Sequence, residues 1–69
     1  MNTKNLTQQQ RFAISLMERA KFKIASAIEA FSQLDEMGAL SADLFSTKKI
    51  LEDTVDRIEI EQSDIWNQV

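Results

Sequence analysis

Cysteine, histidine, proline and tyrosine are all missing from this chain of 69 residues, and Gly38 is its only glycine. Without cysteine there are no disulfides, and without histidine as well the ordinary zinc, haem and iron–sulfur sites are excluded. The same absences remove the commonest general bases and nucleophiles, and no glycine-rich phosphate loop is present. No catalytic residue and no cofactor is therefore expected, and the protein is read as not an enzyme. Turns lean on glycine and proline, so a β-rich chain of this length lacks its turn residues. An all-α fold with one break near Gly38 remains. No apolar run approaches the roughly 18–20 residues of a membrane span, and Met1–Lys4 carries no secretory pattern. No membrane contact and a cytoplasmic location are the expectation.

What is present is a seven-residue beat. Alanine falls at positions 13, 20 and 27, and Leu44, Leu51, Ile58 and Ile65 recur later with the same period. Thr7 to Gln10 has the form of a capping box, with hydroxyl and amide side chains three residues apart. An unbroken helical pattern follows to Met37, and Gly38 supplies a left-handed closing residue. Either Ser41 or Asp43 suits the start of a second helix, Asp43 also matching its positive end. The spacing predicts helices over about 8–37 and 44–67 in a single domain, behind a flexible leader of residues 1–6. Residues 57–61 alternate like a strand, yet Leu51, Val55, Ile58 and Ile65 keep the 3–4 spacing across them, so they are read as helix.

The two halves carry opposite charge. Residues 1–34 hold Lys4, Arg11, Arg19, Lys21 and Lys23 against Glu18 and Glu29, whereas residues 35–69 set nine acids against Lys48, Lys49 and Arg57. An antiparallel seam follows from matching the steps of the two helices. It pairs Met17 with Ile65, Ala20 with Gln62, Ile24 with Ile58, Ala27 with Val55, Phe31 with Leu51, and Leu34 with Lys48. Large layers then alternate with small or polar ones. The same register places Lys21 near Glu59 and Lys23 near Glu61, on the two sides of the seam, and Ile14 near Trp66.

A hairpin of this size buries too little to be more than marginally stable alone. Apolar residues also extend well beyond the seam, at Ile14, Leu16, Ile28, Ala30 and Met37. A homodimeric four-helix bundle is therefore expected, or a hairpin laid on another protein. The candidate interface residues are Phe12, Leu16, Phe22, Phe45, Ile60 and Trp66. Arg11, Arg19 and Lys23, lying toward one side of the first helix, are the candidate nucleic-acid contacts. Glu52, Asp56 and Glu59, one turn apart, could in principle grip Mg²⁺ or Ca²⁺, although a solvated face opposite the basic helix is the simpler account and no metal is assigned.

The favoured function is a small protein-binding regulator or inhibitor, of the economy seen in phage- or plasmid-encoded accessory proteins. In length, hairpin plan and layering the chain resembles the plasmid RNA-binding helical hairpins of the Rop type, with no motif shared and no residues carried over. That resemblance implies RNA binding as the alternative. A structural subunit of a larger assembly is the third.

Overall fold

The computed structural model describes residues 6–67. Two helices, α1 (Gln8–Glu36) and α2 (Ala42–Asn67), form an antiparallel hairpin. Residues 57–61 are helical, since no second strand exists among the described residues to pair with them. No helix there is long and apolar enough to cross a membrane.

Each helix end has a local cause. The Thr7 hydroxyl accepts from the Gln10 amide at 3.0 Å, and the Gln10 side chain accepts from the Thr7 amide at 2.9 Å. This reciprocal pair satisfies two donors that the first turn leaves without intrahelical partners. At the other end, Met37 caps α1, one residue earlier than the periodicity implied. Gly38 turns left-handed at φ +73°. Its amide donates to Asp35 O at 3.0 Å and that of Ala39 to Leu34 O at 2.8 Å, the bonding pattern of a Schellman motif.

The second helix begins at Ala42, two residues before the expected start at 44. Ser41 takes the cap: its hydroxyl accepts from the Leu44 amide at 3.2 Å, and its carbonyl accepts from Phe45 at 2.8 Å. Asp43 falls inside the first turn, where its charge complements the helix dipole. Residues 1–5 of the expected leader lie outside the described residues. Its sixth, Leu6, is buried immediately before the Thr7 cap.

The register is fixed by contacts between the helices. Lys21 Nζ lies 3.8 Å from Glu59 Oε2, and Gln62 Nε2 donates to Glu18 Oε1 at 3.0 Å. Both place residues on α1 opposite the α2 residues that the matched seam requires. Lys23 and Glu61, the pair expected on the other side, are both exposed and form no ion pair with each other.

The hairpin is one helix thick. Its extents are 50 × 19 × 14 Å and its radius of gyration is 15.8 Å, against about 11 Å for a compact chain of this length. A single helix with side chains is about 10–12 Å across, so nothing among the described residues packs above or below the pair. The seam residues Met17, Ile24, Phe31, Leu51, Val55, Ile58 and Ile65 are accordingly only half-buried. Gln62 is the one buried residue within the helices. A two-layer domain closes a core over such a stripe; this chain supplies one layer.

Candidate protein interface

The Lys21–Glu59 contact identifies one broad face of the layer. By helical position that face carries Ile14, Lys21, Ile28 and Asp35 along α1, and Phe45, Glu52, Glu59 and Trp66 along α2. The opposite face carries Leu16, Lys23, Ala30 and Met37 along α1, and Thr47, Thr54 and Glu61 along α2. Four of the eight flank positions on the first face are charged, against two of seven on the second.

The six candidate interface residues are all exposed, but they do not gather into one patch. Phe45 and Trp66 edge the first broad face near its two ends. Leu16 lies on the second, with Phe12 just outside it. Phe22 and Ile60, at 72% and 60% exposure, stand on the backs of the two helices, pointing away from each other. By the register the two stand at about one height, on opposite outward surfaces of the hairpin. Met37, Ile50 and Leu44 are also exposed. Met37 was counted in the wide apolar face but not as an interface residue. Ile50 adjoins the seam residue Leu51 in sequence but stands outside the seam, and nothing in its local pattern singled it out.

A polar cluster fastens the first face. Glu18 Oε1 receives Lys21 Nζ at 2.7 Å and Gln62 Nε2 at 3.0 Å, while Glu59 flanks Lys21. Gln62 also donates to the Ile14 carbonyl at 3.4 Å, a long bond to an oxygen already used within α1. The Lys21 hydrogen bond, helped by that from Gln62, holds the Glu18 carboxyl below its ordinary pKa, against a smaller opposing effect of desolvation. The hydrogen bond to Glu18 raises the Lys21 ammonium, again against desolvation, with Glu59 adding to the rise. Gln62 was read from the sequence as a polar filler opposite Ala20; the structure makes it the cross-helix donor. On the edge of this face Lys49 Nζ sits 5.8 Å from the Phe45 ring centre, a cation–π contact one turn along α2.

The basic candidates are less coherent. Arg11, Arg19 and Lys23 are exposed and make no ion pair among the described residues. Arg19 and Lys23 are one turn apart, whereas Arg11 lies about 80° round the helix from Arg19. Arg11 instead shares a shallow depression with Gln8, Gln9, Phe12 and Ser15, all from the first turns of α1. One straight helix cannot enclose a ligand, so this is open surface. Glu52, Asp56 and Glu59 also fail to converge: among the described residues, no three acidic side chains are grouped to hold a metal ion. Their spacing aligns them along an exposed helix and gives no concave set of oxygens.

What the arrangement offers chemically is apolar and aromatic surface rimmed by charge. No protein-family model matches the chain, and no characterised protein or solved structure is similar enough to count as a match.

Proposed function

We propose that the hairpin acts without catalysis, as a small regulator or inhibitor that docks on another protein through its exposed apolar side chains. The observation that carries this reading is the placement of the aromatic residues. Of four phenylalanines and one tryptophan, only Phe31 turns into the helix contact; Phe12, Phe22, Phe45 and Trp66 are exposed. Burying a phenylalanine is favourable by about 1.5–3 kcal/mol, so leaving four aromatic side chains outside the seam forgoes a large part of the available stabilisation. Aromatic residues are enriched where proteins meet.

The test is affinity capture from the native host, comparing the native chain with a Phe22→Glu, Ile60→Glu double variant. Both side chains stand clear of the seam, so helicity by circular dichroism should be unchanged while the captured partner is lost. Equal capture by both chains refutes these positions as the docking surface. The second reading, RNA binding, draws support from Arg11, Arg19 and Lys23, which are exposed and make no ion pair among the described residues. Retention on heparin or RNA that collapses between low and moderate salt is its expected signature; no retention at low salt refutes it.

A further inference from the structure

The two broad faces of the layer are unlike, and the difference points to what covers one of them. On the first face Lys21 is held by Glu18 and Glu59, while Asp35 and Glu52 add two further acids. The second carries two flank charges in seven positions. Leu16, Ala30 and Met37 run along its α1 edge, all exposed, and between the helices lie the small seam alanines at 20 and 27. Its two flank charges, Lys23 and Glu61, stand almost level with each other across the seam but form no pair. Among the described residues, one chain thus presents a cation and an anion without ion-pair partners at one height on its less charged side.

We propose that this second face is covered by a second copy of the chain, forming a four-helix bundle in which Lys23 of each copy faces Glu61 of the other. The proposal rests on the binding reading above only in taking exposed apolar side chains as contact surface, and it concerns a different surface from Phe22 and Ile60. Three features favour a second copy over an unrelated occupant. A two-fold axis along the long direction of the hairpin lays α1 over α2 of the second copy at unchanged height, so the complementary charges meet twice. The same operation sets Leu16 over the Ile65 level and Ala30 over the Leu51 level of the second copy, apolar side chains facing apolar levels. The area is also sufficient: a 50 × 19 Å layer has a footprint on the order of 900 Å², so two copies would bury roughly 1,800 Å², within the range of stable interfaces. The bundle would close a two-layer core over seam residues that one chain leaves half-buried.

Charge exchange tests the arrangement, read by sedimentation equilibrium across the micromolar range. The wild-type chain is expected to be a dimer. Lys23→Glu alone and Glu61→Lys alone should each weaken association about tenfold or more, since each replaces two attractions per dimer by repulsions. An equimolar mixture of the two variants should recover the wild-type affinity, because each heterodimer restores both pairs. Recovery on mixing cannot arise from pairing within one chain. Phe22→Glu, on the back of α1, should leave the dimer intact.

A folded wild-type monomer overturns the proposal, as does a dimer indifferent to the single exchanges, or a mixture no tighter than its components. These failures are separable from failure of the binding reading, which the capture experiment judges independently: a monomer that still captures its partner through Phe22 and Ile60 loses only the second copy.

Discussion

Replacing Gly38 by alanine isolates the energetic demand of the turn that makes this chain a hairpin. Gly38 sits at φ +73°, and a Cβ built there meets no atom within 4 Å. No clash contributes, so the whole native-state cost of the substitution is the backbone penalty of an L-residue held left-handed, about 1–2 kcal/mol. Alanine also stiffens the unfolded chain, which offsets about 0.4–1 kcal/mol. The expected net loss is about 1 kcal/mol, a fall in Tm of roughly 4–8 °C for a domain of this size. If two chains fold together, each contributes its own turn, so melting curves must be compared at equal protein concentration. The decisive arm reverses the sign. D-alanine at position 38, accessible by chemical synthesis, prefers the left-handed region and stiffens the unfolded chain equally, so it should raise Tm. Thermal unfolding followed by far-ultraviolet circular dichroism reads all three chains. An L-alanine chain as stable as glycine, or a D-alanine chain less stable, refutes the argument that φ at this residue governs the turn.

Two further outcomes follow from the caps and the polar cluster. Ser41→Ala should destabilise α2 by about 1 kcal/mol, and Asp43→Asn by less, since Asp43 acts only through the helix dipole; denaturant midpoints in the opposite order would place the helix start at the wrong residue. The Glu18 carboxyl has its pKa lowered by folding, so its contribution is complete above the unfolded value of about 4.3 and disappears as pH falls through the lower folded value. Lys21, whose pKa is raised, contributes below its ordinary value and loses that contribution as pH rises through the higher folded one. Subtracting the acid limb of the denaturant midpoint of a Glu18→Gln chain from that of the native chain should leave a loss confined to that acid window; identical limbs refute the assignment.

Much of the hairpin was legible along the chain because it is written in local chemistry. The Thr7–Gln10 box and the left-handed Gly38 involve residues within four positions of one another, so spacing suffices to find them. The seam was legible too, since a seven-residue period keeps one stripe of each helix facing the other. The Lys21–Glu59 contact follows from that register alone. Ser41 and Asp43 were equally good caps by type; only the backbone entering α2 chose Ser41, whose hydroxyl reaches the Leu44 amide.

The candidate interface was harder to read, for a different reason. Apolar residues identify themselves in sequence, but whether they share a surface depends on the angle each makes about its helix and on where the neighbouring helix stands. Phe22 and Ile60 share a height by the register, yet they stand on opposite backs and so on no common surface. Gln62 gave no sign that its amide would reach Glu18 and the Ile14 carbonyl, because that depends on how closely α2 approaches α1. The sequence by itself determined two helices, the cap that opens the first, the turn between them and the register of their contact, all of which rest on short-range geometry and periodicity. Only the tertiary structure decided that the pair stands one layer thick, with Lys21 held by Glu18 and Glu59 on one face and Lys23 and Glu61 left unlinked to each other on the other. That asymmetry comes from the rotation of each helix about its axis, a quantity set by packing between segments and by no residue alone.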